Sequence, residues 1–415
     1  MKLLLKNIKN LLQVREESKN PVKGADMKLL PGIENAWLAV EDGYIIDYGE
    51  MTDFPGIEDW RDLEIIDAEN KIVLPAWVDA HSHIVYAGNR EEEFVDRING
   101  LSYEEIALRG GGILNSAEKL ANTSEEELIV SALERIKEIS FLGTGALEIK
   151  SGYGLSLQAE LKMLRVIKKI KEQTPLTIKS TFLGAHAIPK EFKNQKENYI
   201  KLILEEMIPA IQSENLADFI DVFCEKNYFN PEETEQILEA GKKAGMIPKV
   251  HAEQLSNYGG VLTGVKCSAI SVDHLEFVEA KEINALLNST TIPVILPGAA
   301  FFLNLPHPPV RKMIDAGLPI ALASDFNPGS SPSGNMNLMQ AIACIQYKIT
   351  PNEAINASTL NSAFAMNVEK ELGSITRGKK ANLIVTKNIP SSNFIPYSFG
   401  SNPVEKMILN GKIIH

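Results

Sequence analysis

Cysteine, positive charge and long apolar runs are all scarce in this chain. Three widely spaced cysteines in 415 residues are too few for a disulfide framework and form no CxxC metal motif, so we expect a reducing, cytoplasmic location. Lys and Arg number 42 against 54 Asp and Glu, and the resulting net charge of −12 argues against a nucleic-acid partner. No run approaches the roughly 18 consecutive apolar residues of a membrane span, so we expect no membrane partner.

The first residues, MKLLLKNIKNLLQV, superficially resemble a signal peptide. Lys6 and Lys9 interrupt the apolar stretch before it reaches the roughly 7 to 15 residues that a signal peptide needs, so we interpret the segment as a first β-strand. The composition is otherwise ordinary for a globular protein, with 44% hydrophobic residues. Because single cores usually stop growing at roughly 250 to 300 residues, one large barrel with additions, or two domains, is expected.

The middle of the chain alternates short β-rich runs with amphipathic helical stretches, which is typical of parallel strands joined by crossover helices. Eight strands are predicted, at residues 73–81, 146–151, 176–184, 219–225, 247–253, 269–275, 292–297 and 319–326. Between them, residues 157–173 carry an apolar helical stripe, and another helix has Asn230 as N-cap, Pro231 at N1 and Gly245 as a stop. This alternation predicts an α/β fold, a TIM-like (β/α)8 barrel.

Both ends of the chain lack that alternation and hold short strands with hairpin-turn signals, at 41–43 and at Asn410-Gly411. Neither end is long enough for a good core of its own. We therefore predict that residues 1–73 and 373–415 pair into one small β-sandwich domain, beside a barrel of residues 74–372.

Polar residues cluster at the predicted strand ends, where barrels of this kind carry their active sites. Residues i and i+2 of a strand point the same way, so His81 and His83 can present two imidazoles to one point. Strand five ends in His251, strand six in Asp273-His274 and strand eight in Ser324-Asp325. Neutral imidazoles with one carboxylate suit zinc, iron or a similar ion. These histidines and aspartates are therefore candidate metal ligands.

Each of these residues also has a plainer explanation. His81 and His83 could form a polar strand end, His251 could be a core histidine bonded to a backbone carbonyl, and Asp325 could be a turn residue. His274 could be a fourth nitrogen ligand, a base behind the ligands or a structural residue. We favour the metal site because residues from separate strands support one another.

The HSH motif, the later single histidine, the further histidine and the final aspartate resemble the amidohydrolase superfamily, whose members hydrolyse C–N and related bonds on a metal-bearing barrel with a flanking β-sandwich. Further motifs resemble its imidazolonepropionase family, and they run through nearly the whole barrel. They are AGNREEEF at 87–94, RGGGI at 109–113, EIKSGYGL at 148–155, TFLGAH at 181–186, DVFCE at 221–225, HAEQLS at 251–256, DHLEF at 273–277, LPGAAFFL at 296–303 and SDFNPGSSP at 324–332.

This resemblance implies a hydrolase of histidine degradation that opens the cyclic amide 4-imidazolone-5-propanoate with water to N-formimidoyl-L-glutamate. It implies one divalent or trivalent ion, zinc or iron, held by His81, His83, His251 and Asp325. Asp325 would also accept the proton of the water, His274 would polarise the carbonyl or shuttle a proton, and Gln254 would orient the ring or the water. Some family members carry Glu where this chain has Gln254, which puts a general-base role there in doubt.

The propionate of such a substrate needs a cation, and the guanidinium of Arg90 can grip a carboxylate with two parallel hydrogen bonds. Without the resemblance, a surface ion pair with residues 91–93 is the plainer interpretation of Arg90. The other substrate-binding candidates are Tyr153, His186, Gln254, Asn327, Gly329 and Ser330, with Tyr103 as a weaker carboxylate candidate. The resemblance also implies a homodimer.

Two tempting features are discounted. Residues 110–112 are glycine-rich but follow no predicted strand, so we expect a mobile loop at the mouth and no phosphate cradle. Lys150 ends strand two, where a modified lysine could bridge two ions, but we expect a mononuclear site. The nearest alternative function is an aminohydrolase of guanine or cytosine type, which would share the metal residues without needing Arg90. A noncatalytic binding barrel is the third hypothesis, and it should lack the ligands.

Overall fold

The computed structural model describes residues 2–17, 19–101, 105–106, 109 and 111–415. The predictions made for Tyr103 and Gly110 therefore fall outside the described residues. Within the described part of the chain, no helix combines the length and the apolar character needed to cross a bilayer.

In the described part of the chain, sixteen strands build two sheets. They are β1 (Lys2–Leu12), β2 (Gly32–Glu41), β3 (Tyr44–Glu50), β4 (Leu63–Asp67), β5 (Ile72–Pro75), β6 (Trp77–Asp79), β7 (Thr144–Lys150), β8 (Thr177–Ala185), β9 (Phe219–Cys224), β10 (Ile247–Ala252), β11 (Ser271–His274), β12 (Ile292–Ile295), β13 (Ala321–Leu322), β14 (Leu383–Thr386), β15 (Val404–Leu409) and β16 (Lys412–Ile413). Strands β6 to β13 pair in chain order as one parallel sheet, and the other eight form a mixed sheet.

The parallel sheet closes on itself just beyond β6 and β13. Asp325 N donates to His81 O at 2.9 Å, and His83 N donates to Phe326 O at 2.9 Å. Asp79 reinforces the junction by accepting from the backbone N of Ser324 at 2.9 Å and from its Oγ at 2.5 Å. The predicted (β/α)8 barrel is therefore confirmed, and its closure brings the ends of the first and last strands side by side.

Helices pack around the barrel and extend beyond it. They are α1 (Glu91–Ile98), α2 (Ile113–Ala121), α3 (Glu125–Phe141), α4 (Leu157–Gln173), α5 (Lys196–Leu202), α6 (Ile208–Glu214), α7 (Pro231–Lys243), α8 (Gly260–Lys266), α9 (Ala280–Leu287), α10 (Pro297–Leu303), α11 (Val310–Ala316), α12 (Met336–Tyr347), α13 (Pro351–Asn356), α14 (Ser362–Ala365) and α15 (Phe394–Tyr397). The predicted helix at 157–173 is α4. The predicted cap of α7 is also confirmed, because Asn230 Oδ1 accepts from Glu233 N at 2.8 Å.

The mixed sheet joins the two ends of the chain into one small β domain, as predicted. Its order is β16-β15-β14-β5-β1-β2-β3, with β4 on β1. Leu5, Leu38 and Leu383, from strands far apart in the sequence, share one buried core. Both predicted hairpin turns are present, between β2 and β3 and between β15 and β16.

The predicted first barrel strand, residues 73–81, is divided between the two sheets. Val73 and Leu74 pair with Val385 and Ile384 of β14, so they belong to the β domain. The barrel strand proper begins at Trp77. The predicted boundary at residue 73 therefore lies within β5, because an apolar run carries no mark of which sheet its residues join.

Candidate active site

A cavity of about 600 Å³ opens at the C-terminal ends of the barrel strands. The predicted site residues that line it are His83, Arg90, Tyr153, His186, His251, Gln254, His274, Asp325, Asn327, Gly329 and Ser330. His81 is fully buried against them, with its ring centroid 4.5 Å from that of His251. Phe94, Phe223 and Phe302 supply apolar walls. The structure thus brings all of these predicted site residues together at one mouth.

Three of the predicted ligand atoms form a nearly equilateral triangle. His81 Nε2 lies 3.3 Å from His83 Nε2, and Asp325 Oδ1 lies 3.4 and 3.5 Å from these two nitrogens. Ligands about 2.0 to 2.1 Å from an ion at tetrahedral angles are themselves about 3.3 to 3.4 Å apart. His81, His251 and His274 also offer ligand atoms within 4.8 Å of one another. The triangle of His81, His83 and Asp325 therefore fits one metal ion.

Two carboxylates lie behind the imidazoles. Asp273 Oδ2 lies 2.6 Å from His81 Nδ1, and Asp221 Oδ2 lies 2.9 Å from His251 Nδ1. Such partners fix the tautomer and orientation of ligating histidines, leaving the Nε2 lone pairs for the metal. Burial also lowers the pKa of His81 well below its ordinary value, which favours the neutral, ligating form.

A buried cluster of charges underlies these carboxylates. Lys150 Nζ donates to Glu148 Oε1 at 2.6 Å and to Asp221 Oδ2 at 2.8 Å. Lys249 donates to Glu148 and, at 3.0 Å, to Ala80 O. Burial by itself would lower the pKa of Lys150, but Asp221 and Glu148 outweigh it and raise the pKa above its ordinary value. The Lys150 ammonium is thus committed to carboxylates, which fits the expected mononuclear site better than a bridging lysine.

His274 lies in a strained segment beside an unexpected carboxylate. Its φ is +87° and that of Leu275 is +75°, a region that residues other than glycine seldom adopt. His274 Nδ1 lies 3.8 Å from Glu276 Oε1. Burial opposes a charge on His274, but Glu276 outweighs it and raises the pKa of the imidazole. The geometry therefore favours a proton on this histidine.

Arg90 is held by a buried ion pair. Its Nε and Nη2 donate to Glu93 Oε2 at 2.8 and 2.5 Å, and the two side chains are only 6% and 10% exposed. Glu93 Oε1 accepts from Gly112 N at 3.0 Å. On the other side, a Cβ added to Gly329 would lie 2.0 Å from Arg90 Nη1. The ion pair of Arg90 that the sequence suggested is therefore present. It is buried and not on the surface, and it orients Arg90 at the cavity wall.

His186 and Tyr153 form one aromatic group with His83. The His186 ring stacks on His83 with centroids 5.4 Å apart and planes 15° apart, and the Tyr153 ring lies 5.6 Å from His186. His186 Nδ1 donates to Gly152 O at 2.9 Å. Burial, reinforced by His251, lowers the pKa of His186 to about 3. The neutral ring therefore keeps a lone pair on Nε2 for hydrogen bonding.

The loop after β13 is organised by Asn327. Its Oδ1 accepts from the backbone N of Gly329 and of Ser330, both at 2.8 Å, and its Nδ2 donates to Asp325 O at 2.6 Å. Ser330 Oγ donates to Asp325 Oδ2 at 2.9 Å. These bonds commit the Asn327 side chain to shaping the loop around Asp325.

Several functional side chains at the site were not singled out by the sequence analysis. They are Arg97, Glu148, Asp221, Lys249 and Glu276. A usable signal existed for some of them: Lys249 precedes His251 by two residues on one strand, so the two side chains share a face. Arg97 follows Glu93 by one helical turn on α1, and its Nη2 donates to Gly329 O at 2.8 Å.

Comparison with known proteins agrees with this geometry. The model of the amidohydrolase family matches residues 72–414. The chain belongs to the amidohydrolase family. Members of this family bind a metal ion, and the cluster of His81, His83 and Asp325 could bind one.

Curated relatives within the family match the chain from end to end. An imidazolonepropionase of Christiangramia forsetii is 56% identical over 414 residues, covering 100% of both chains. An imidazolonepropionase of Alkaliphilus oremlandii is 40% identical and covers 99% of this chain and 97% of its own. The fold is also that of a zinc-bound adenosine deaminase from Xanthomonas campestris, with a TM-score of 0.72 at 15% identity, covering 99% of this chain and 92% of that one. The resemblance found in the motifs is confirmed.

Proposed function

We propose that this amidohydrolase is an imidazolonepropionase, which hydrolyses the cyclic amide C–N bond of 4-imidazolone-5-propanoate to give N-formimidoyl-L-glutamate in histidine degradation. The observation that carries the proposal is that candidate metal ligands and a buried guanidinium line the same cavity. His83 and Asp325 are such ligands, and Arg90 supplies the guanidinium. Relatives of that name are 40% and 56% identical over nearly the whole chain.

The ion would be held by His81, His83, His251 and Asp325, and zinc and iron suit this set equally well. When bound, it would lower the pKa of a water molecule and act as a Lewis acid toward the ring carbonyl. The protein holds the ligand side chains in place: Asp273 contacts His81, and Asp221 contacts His251.

In the reaction, a water molecule adds to the ring carbonyl carbon, the C–N bond breaks, and the departing ring nitrogen takes a proton. Asp325 accepts the proton of the water, since its carboxylate lies beside His81 and His83. His274 polarises the carbonyl or shuttles this proton from Asp325 to the departing nitrogen, supported by Glu276. Gln254 orients the ring or the water, because an amide cannot usefully accept and release a proton.

The substrate carboxylate binds to Arg90, which Glu93 holds at the cavity wall. Tyr153 and His186 bind the substrate from the same side, and Gly329 and Ser330 bound the cavity where Asp325 lies. We further propose that the protein is cytoplasmic and forms a homodimer. Its ligand is this small carboxylate-bearing molecule, and it binds neither nucleic acid nor membranes.

The test uses freshly generated imidazolone propionate and follows the loss of its ultraviolet absorbance. The wild type should turn it over, and Arg90→Ala should lower kcat/KM strongly, mainly through KM, without loss of bound metal. An aminohydrolase acting on guanine or cytosine has no carboxylate to bind. If Arg90→Ala leaves kcat/KM unchanged, or if the wild type deaminates such bases instead, the proposal is wrong.

A further inference from the structure

A buried glutamate outside the predicted site lies beneath the loop that carries Tyr153. Glu160 stands in the first turn of α4 and is fully buried. Its Oε1 accepts from the backbone N of Gly154 at 2.7 Å and of Leu155 at 2.9 Å, and its Oε2 accepts from Gly152 N at 3.2 Å. One carboxylate thus accepts from three backbone donors of the loop that no strand or helix satisfies.

The loop needs such an anchor because its backbone is unfavourable. Gly152 has φ +102° and Leu155 has φ +54°, and the left-handed region is unfavourable for a leucine because its Cβ approaches the following carbonyl oxygen. The loop also lies close against the start of α4: a Cβ added to Gly154 would be 2.4 Å from Glu160 N. Without the carboxylate, the backbone N–H groups of this segment would be buried without a hydrogen-bond acceptor.

The same loop sets the orientation of two cavity residues. Tyr153 projects from it into the cavity, and Gly152 O accepts from His186 Nδ1 at 2.9 Å. That bond fixes the tautomer of His186 and the stacking of its ring on His83. We infer that Glu160 is a positioning residue for the substrate site, holding residues 151–155 in the conformation that presents Tyr153 and orients His186.

The isosteric change Glu160→Gln tests this inference. The amide oxygen of glutamine can replace only one of the two carboxylate oxygens as an acceptor. Its NH2 group takes the place of the other oxygen and faces a backbone N–H, so at least one charge-assisted hydrogen bond is lost. We expect kcat/KM for imidazolone propionate to fall by up to about 10- to 100-fold, mainly through KM, since a lost hydrogen bond to a charged group corresponds to roughly one to two factors of ten. Bound metal should stay at the wild-type level, because Glu160 contacts none of the proposed ligands directly.

A second readout is independent of turnover. Hydrogen exchange measured by mass spectrometry should show the amides of residues 151–155 protected in the wild type and faster in Glu160→Gln. The matched control is Glu353→Gln: this buried carboxylate likewise accepts a backbone N–H, from Thr350 at 2.6 Å, but it caps α13. The control should change neither exchange at residues 151–155 nor KM. If Glu160→Gln does not fold, Glu160→Asp, whose carboxylate is one methylene shorter, should give the same two changes.

The kinetic part rests on the proposed function, and the two failures are distinguishable. A wild type without turnover of imidazolone propionate contradicts the proposed function, while the exchange data still decide the role of Glu160. Wild-type exchange at residues 151–155 in Glu160→Gln, or effects equal to those of Glu353→Gln, would overturn the inference.

Discussion

Gly329→Ala should weaken binding of the substrate carboxylate to Arg90 without replacing a charged residue. The added Cβ would lie 2.0 Å from Arg90 Nη1 and 2.7 Å from its Cζ, whereas real contacts essentially never fall below 3.0 Å. The guanidinium must therefore move by about 1 Å. Arg90 cannot simply swing away, because two of its donors bind Glu93 Oε2 in a buried position. Either these bonds or the substrate contact must be given up.

A hydrogen bond to a charged group contributes about 1.5 to 3 kcal/mol. Because each 1.4 kcal/mol is a factor of ten, losing one such bond predicts a fall in kcat/KM of about 10- to 100-fold, carried mainly by KM. The assay is turnover of imidazolone propionate, repeated in an Arg90→Met background. There the clash is relieved, so adding Gly329→Ala should cost little. Equal costs in the two backgrounds, or an unchanged KM in Gly329→Ala, would refute the assignment of Arg90.

Three further predictions concern the metal, the thiols and pH. Asp273→Asn removes the charge that faces His81 and should weaken metal binding by about 10- to 100-fold in chelator competition; wild-type affinity would contradict its orienting role. Burial raises the pKa of the Cys224 thiol to about 12, so iodoacetamide at pH 7.5 should label it only after unfolding, and rapid labelling of the native protein would show this to be wrong. Burial lowers the pKa of Lys379 from 10.5 to about 8, so the unfolded chain binds more protons than the folded protein between these pH values. Stability therefore rises with pH in this range, and the melting temperature of the wild type should rise relative to that of Lys379→Met as pH increases from 8 to 10. A constant difference between the two would contradict this.

The fold could be predicted from the sequence because its signals are local. Apolar runs alternating with amphipathic helices located all eight barrel strands, and the Asn230-Pro231 pair located the start of α7. The division of residues 73–81 between two sheets could not be predicted, because Val73 and Val78 look alike in sequence and differ only in the strand they pair with.

The site residues at the strand ends could be predicted from the sequence, whereas most of the buried residues that contact them from inside the barrel could not. The i, i+2 spacing of His81 and His83 placed both imidazoles at one point, and the structure has their Nε2 atoms 3.3 Å apart. The supporting contacts join residues far apart in the chain: Glu148 and Lys249 meet only because the barrel closes around them. Such pairs leave no pattern in the order of the residues.

The central claim is that one metal ion on the histidine and aspartate cluster drives hydrolysis of imidazolone propionate. The most direct test measures bound metal and turnover in the same sample, before and after treatment with a chelator and after restoring zinc or iron. We predict one ion per chain in the active enzyme, parallel loss and recovery of metal and activity, and neither metal nor turnover in His83→Ala and Asp325→Ala. Full activity in a metal-free sample would contradict the account.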